Sequence, residues 1–85
     1  MTTQEKLAAI WAELTGVTEV SGDDNFVALG GDSISATLCV YRIHLVFNCE
    51  ISLSAILDPD KTLAMLVTLV DRGVAQRTRP AQAEV

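Results

Sequence analysis

Few side chains in this sequence could take part in chemistry, and one of them stands in a setting built for it. Ser33 follows Gly30, Gly31 and Asp32 and opens an apolar run at Ile34. The two glycines allow backbone angles closed to other residues and let another molecule approach the main chain. Asp32 is a good helix N-cap, because its carboxylate can accept the orphan amide hydrogens of a first turn. Ser33 then falls at the first helical position, where the positive end of the dipole favours an incoming phosphate. That makes Ser33 a handle for modification. A hydrolytic serine would need a base within hydrogen-bond reach, itself oriented by a third group. The single histidine, His44, lies eleven positions further along the same expected helix, about 16 Å away at 1.5 Å rise per residue. A nucleophile elbow would also want a glycine where Ser35 stands.

The remaining reactive groups suggest no site. Cys39 and Cys49, separated by nine residues, lack zinc or redox spacing and read as buried, reduced thiols. One histidine and scattered carboxylates make no metal cluster, and Asp23-Asp24 reads as a solvated loop. His44 reads as a surface residue, pointing away from the stripe Ile34, Leu38, Tyr41 and Leu45.

With 85 residues, 49% of them hydrophobic, the chain makes one domain with a core. It is too small to hold both that core and a deep pocket, which argues against a self-contained enzyme. Net charge is -5, and residues 1–73 alone carry -6. Such a surface does not suit nucleic acid and favours partners with positive patches. The amino terminus has no apolar signal region and no run is long enough to span a bilayer, so a cytoplasmic protein with no membrane partner is expected.

The elements that must position Ser33 are helical. Thr2 and Glu5 fit a capping box, and Leu7, Ile10, Trp11 and Leu14 follow at i, i+3, i+4 and i+7, predicting helix 1 over about 3–15 with Gly16 as its stop. Residues 16–32 read as a long crossing loop, pinned by Val17, Val20, Phe26, Val27 and Leu29. Helix 2 spans about 33–47; Ile34, Leu38, Tyr41 and Leu45 share one face, but Val40, Ile43, Val46 and Phe47 spread apolar character well beyond it. Asn48 ends it, Cys49, Ile51 and Leu53 alternate with polar residues, and a short helical turn is expected at 54–58 before Pro59. Thr62 caps a last helix over 62–72, with Leu63, Leu66, Val67 and Val70 buried and Gly73 as its stop. Residues 74–85 lack periodicity and read as a disordered tail.

The stretch Asp24-Asn25-Phe26-Val27-Ala28-Leu29-Gly30-Gly31-Asp32-Ser33-Ile34 resembles the attachment motif of the phosphopantetheine-dependent carrier proteins, most nearly the peptidyl carriers of nonribosomal peptide synthesis. The resemblance continues through Phe47-Asn48-Cys49-Glu50-Ile51-Ser52-Leu53 and Lys61-Thr62-Leu63-Ala64-Met65-Leu66 and covers roughly residues 5 to 73. It implies 4'-phosphopantetheine, taken from coenzyme A and attached to Ser33, with Gly30, Gly31 and Asp32 presenting the serine. The arm's thiol would carry acyl groups as thioesters while partner enzymes do the chemistry. The implied partners are a phosphopantetheinyl transferase, an adenylation or acyl-loading enzyme, and condensation, tailoring or thioesterase enzymes. Helix 2 departs from the acidic helix of fatty-acid carriers, since only Arg42 is formally charged between Ser33 and Asn48.

The expected fold is all-α: a four-helix carrier bundle of three longer helices and one short one, with a long loop between helices 1 and 2. The carrier domain covers 1–73 and the tail 74–85. The core is expected to contain Leu7, Ile10, Trp11, Leu14, Phe26, Leu29, Leu38, Ile51, Leu53 and Leu66, and the docking face to be drawn from Ile34, Val40, Ile43 and Phe47. A monomeric, free-standing, non-catalytic carrier is expected. The competing account is a small helical interaction domain in which Asp32-Ser33 is only a cap.

Overall fold

Thr2 accepts the Glu5 amide hydrogen through its hydroxyl while Glu5 reaches back to the Thr2 amide, so the expected capping box starts the first helix. The computed structural model describes residues 1–77 and contains four helices, α1 (Thr3–Thr15), α2 (Ser33–Phe47), α3 (Leu53–Ile56) and α4 (Leu63–Arg77). No strand occurs among the described residues. Helix α1 packs against both α2 and α4, and α3 lies on α2. Gly16 (φ 83°) and Asn48 (φ 55°) close α1 and α2 in the left-handed conformation.

The core is built on α1. Leu7, Ile10 and Trp11 are buried there and meet Phe26 from the crossing loop, Ala36, Cys39 and Ile43 from α2, Ile56 from α3, and Leu63, Leu66 and Val70 from α4. Trp11 and Phe26 stack edge to face with centroids 5.2 Å apart, a geometry favoured by the ring quadrupoles. Two inter-helix links lie on the rim: Arg42 on α2 pairs with Glu13 on α1 at 2.7 Å, and Thr3 donates to Asp71 on α4 at 2.9 Å.

Helix α2 shows its other face to the core. Ile34, Leu38, Tyr41 and Leu45 are 73, 47, 58 and 59% exposed, whereas Ala36, Cys39 and Ile43 are fully buried. Both sets follow helical spacing, and the side that faces inward is the one whose Ala36, Cys39 and Ile43 join the core cluster with Trp11. Leu38 therefore leaves the expected core, and Ile43 leaves the expected docking face. Val40 and Phe47 are partly buried against the core, with the Lys6 ammonium 6.0 Å from the Phe47 ring centroid. Leu14 and Leu29 are also partly buried, and Val27 is exposed rather than an anchor.

Two boundaries differ from expectation. Ser52 accepts the Ala55 amide hydrogen and starts α3 at Leu53, so the extended alternation ends there. Leu53 turns outward, and Ile56 is buried instead. Helix α4 does not stop at Gly73 but runs through it to Arg77. A Cβ at that position would come within 3.1 Å of Cys49 Cβ and 3.3 Å of its sulfur, so the glycine serves close packing at the ~1 kcal/mol that glycine costs in a helix interior. Residues 74–77 are thus helical; the expected disorder at 78–85 lies outside the described residues.

Cys39 and Cys49 are buried and unbridged, as expected. Burial pushes the Cys39 thiol up to about 11, with Trp11 and Arg42 opposing this only in part, so it stays protonated at neutral pH.

Because Phe26 fills the centre of this core, Phe26→Ala should cost about 3–5 kcal/mol, measurable by chemical denaturation. That is a large part of the 5–15 kcal/mol typical of a folded protein. An equivalent change at exposed Leu45 should stay within about 0.5 kcal/mol.

Candidate functional site

The loop that delivers Ser33 is fastened near its middle and again where it enters α2. Near its middle, backbone carbonyls of Gly22 and Asp24 accept the amide hydrogens of Ala64 (3.0 Å) and Leu63 (2.8 Å), satisfying two orphan donors at the start of α4. Thr62 receives the Met65 amide hydrogen, the cap expected of it. The chain then coils through residues 26–30, with Leu29 donating to the Asn25 carbonyl and Gly31 to the Phe26 carbonyl, each at 3.0 Å.

The two glycines do different work. Gly30 sits at φ 100°, a conformation side chains resist. Gly31 is needed for space: a Cβ there would overlap the Phe26 ring and lie 2.8 Å from the Phe26 carbonyl oxygen. The chain therefore folds back against the buried aromatic immediately before the helix begins.

Asp32 caps α2 as expected, and its cap is reciprocal. The Ser35 amide donates to Asp32 Oδ1 at 2.9 Å, and the Asp32 amide donates to Ser35 Oγ at 2.9 Å. The Ser35 backbone bond, then the Ser35 hydroxyl, hold the Asp32 carboxyl below its ordinary value of 3.8. Ser35 was singled out in the sequence only for not being a glycine; its Ser/Thr-type capping role could have been read from its position three residues after Asp32.

Ser33 is the first residue of α2 and is exposed. Its carbonyl accepts the Thr37 hydroxyl at 2.8 Å, while its own hydroxyl makes no hydrogen bond among the described residues. His44 is exposed near the other end of an unbroken α2, about 16 Å away by helical rise. Geometry thus removes the base that a hydrolytic serine would require. Among the exposed side chains around Ser33 are large apolar ones: Val27 before it, then Ile34, Leu38, Tyr41 and Leu45 along α2. Of the four expected docking residues, Ile34 alone is exposed. A groove of about 260 Å³ on α4, lined by Lys61, Met65, Thr68, Leu69 and Arg72, includes no residue of this stretch.

Ser33 thus stands exposed on the first turn of α2, where another molecule can reach its hydroxyl. Residues 5–70 match the phosphopantetheine attachment site family, and the chain belongs to it. It is a carrier domain of the 4'-phosphopantetheine type, related to peptidyl carrier domains and non-catalytic by itself. Among curated proteins it is similar to the nonribosomal peptide synthetase hkm10 of Aspergillus hancockii, 42% identical over 73 residues; the match covers 84% of this chain but only 7% of that synthetase. Among solved structures it is similar to one of the phosphopantetheine transferase Sfp in complex with coenzyme A and a peptidyl carrier protein (26% identity, TM-score 0.77, covering 85% of this chain and 92% of that one). It is also similar to BlmI, a type-II acyl carrier protein from Streptomyces verticillus (33% identity, TM-score 0.73, covering 82% and 83%). No helix among the described residues is long and apolar enough to cross a membrane.

The Asp32 cap has a pH signature. Because the folded carboxyl lies below 3.8, its contribution is fully present above about pH 3.8 and is lost as pH falls through the lower folded value. The stability gap between wild type and Asp32→Ala should stay constant from pH 7 to about 4 and close below that, as followed by thermal unfolding across a pH series.

Proposed function

We propose that Ser33 receives 4'-phosphopantetheine from coenzyme A, and that the domain then holds aminoacyl, peptidyl or other acyl intermediates for the enzymes of a nonribosomal-peptide type of biosynthesis. The observation that carries this reading is the Ser33 hydroxyl itself, exposed and unbonded on the first turn of a 15-residue helix. In the transfer, the Ser33 oxygen bonds to the phosphorus next to the pantetheine. The pyrophosphate linkage of coenzyme A breaks, adenosine bisphosphate leaves, and the hydroxyl proton passes to a base on the transferase. When bound, the group supplies a terminal thiol that carries acyl groups as thioesters. The α2 N-terminus favours the new negative charge on Ser33, while Asp32 keeps its carboxylate turned into the cap. Gly30 and Gly31 contribute by fixing the direction in which the chain enters α2.

A transferase of the Sfp kind is the modifying partner in this account. An adenylation or acyl-loading enzyme acts next, followed by condensation, tailoring or thioesterase enzymes. Their docking surface is the exposed apolar stripe Ile34, Leu38, Tyr41 and Leu45, which replaces the expected set that included the buried Ile43. The stripe carries no carboxylate, so docking rests on apolar burial more than on charge steering.

Incubation with coenzyme A, magnesium and a broad-specificity transferase should add the mass of one phosphopantetheine, and Ser33→Ala should abolish the gain without unfolding the domain. An unchanged wild-type mass, with the protein folded and the transferase active on a control, would remove the reading and leave the small interaction domain. Separately, Tyr41→Glu should leave the thermal midpoint near that of wild type and slow acyl loading by the cognate enzyme about tenfold. Ile43→Glu, which buries a charge, should instead unfold the domain.

A further inference from the structure

Asn25 is a half-buried side chain of the loop, and all of its polar atoms are engaged. Its Nδ2 donates to the carbonyl of Asp58 at 2.9 Å and to the carbonyl of Lys61 at 2.8 Å, while its Oδ1 accepts the Ala28 amide hydrogen at 3.0 Å. Asp58 and Lys61 are the two ends of the turn between α3 and α4, itself closed by a Lys61 amide to Asp58 carbonyl bond at 3.2 Å. One amide group thus grips both ends of that turn with its nitrogen and the 26–30 coil at Ala28 with its oxygen.

The grip is chemically selective. An aspartate of the same shape keeps the acceptor for Ala28 but has no hydrogen to give, and sets a carboxylate against two carbonyl oxygens. Leaving such groups unpaired costs more than the bond was worth. The change would be local, because the Gly22 and Asp24 carbonyls hold the loop to α4 and Phe26 lies in the core. Set between Asp24 and Phe26, Asn25 supplies the side-chain contact with the α3–α4 turn.

We infer that Asn25 is a positioning residue for the modification of Ser33: it locks the attachment loop to the α3–α4 turn, so that Ser33 is held in one presented arrangement. This rests on the attachment reading above. If the lock opens, only part of the population presents Ser33 correctly, and apparent affinity falls by that fraction while the chemistry of bound carrier is unchanged. The effect therefore belongs in KM and not in kcat.

The test uses the full chain as wild type, Asn25→Asp, Asn25→Ser and Ser33→Ala, with coenzyme A, magnesium and a broad-specificity transferase, and varies carrier concentration. Asn25→Asp should raise KM for the carrier about tenfold with kcat within about twofold of wild type. Amide exchange at Leu29, Gly30 and Gly31 should quicken while that of Ile10, Trp11 and Leu66 does not. Asn25→Ser, which keeps an oxygen for Ala28 but cannot span both carbonyls, should behave alike. Folded variants with wild-type KM, or with lowered kcat at unchanged KM, would overturn the proposal, as would unfolding of both variants. A wild type that gains no mass would overturn the attachment reading, and amide exchange at Leu29 to Gly31, measured without any transferase, would still decide whether Asn25 is a lock.

Discussion

The structure depends on the placement of one aromatic ring. Phe26 belongs to a loop that would otherwise cross seventeen residues without regular structure, yet its side chain is fully buried, edge to face with Trp11. The same ring sets a limit on the chain five residues later, because position 31 must approach it without a Cβ. Burial of an aromatic in the core and the entry of the backbone into α2 are therefore one constraint. A loop pinned near its middle both by apolar area and by hydrogen bonds to α4 has little freedom left by Asp32. Ser33 inherits that order while remaining at the surface.

Order without enclosure suits a carrier. A catalyst of this size would need to converge several groups on a water-excluding pocket. Here the only histidine is separated from the serine by the length of α2, and the cap carboxylate is spent on the backbone amide of Ser35. What the fold supplies is a fixed direction for one hydroxyl and an apolar helix face beside it. In the proposed function partner enzymes supply the rest, and a buried Cys39 kept in its protonated form would not compete with a carried thiol.

Caps and stops were the most legible part of the sequence, because they rest on local chemistry. The helix spans 3–15 and 33–47, the Thr2-Glu5 box, the Asp32 cap and the left-handed Gly16 and Asn48 all follow from residues within one turn. The inward face of α2 was not legible. Its apolar residues form two stripes of the same period, and the one that carries Ala36, Cys39 and Ile43 meets the core through residues of α1, the crossing loop and α4 that are distant in sequence. Gly73 misled for a related reason: glycine ends helices by its backbone freedom, but here it answers a contact with Cys49 that is distant in sequence. The motif around Ser33 was legible as chemistry, yet Asn25 within it was not legible as a lock, since its partners are carbonyls thirty-three and thirty-six residues away.

The central claim is that Ser33 is the hydroxyl this scaffold presents for modification, and fragmentation of the loaded protein tests it directly. Cleavage after Lys6 and Arg42 isolates residues 7–42, which contain Ser21, Ser33 and Ser35. Ser35 is only two residues from Ser33 but has its hydroxyl in the cap. Fragment masses should place the phosphopantetheine on Ser33 alone. Its appearance on Ser35 or Ser21, with Ser33 unmodified, would contradict the account.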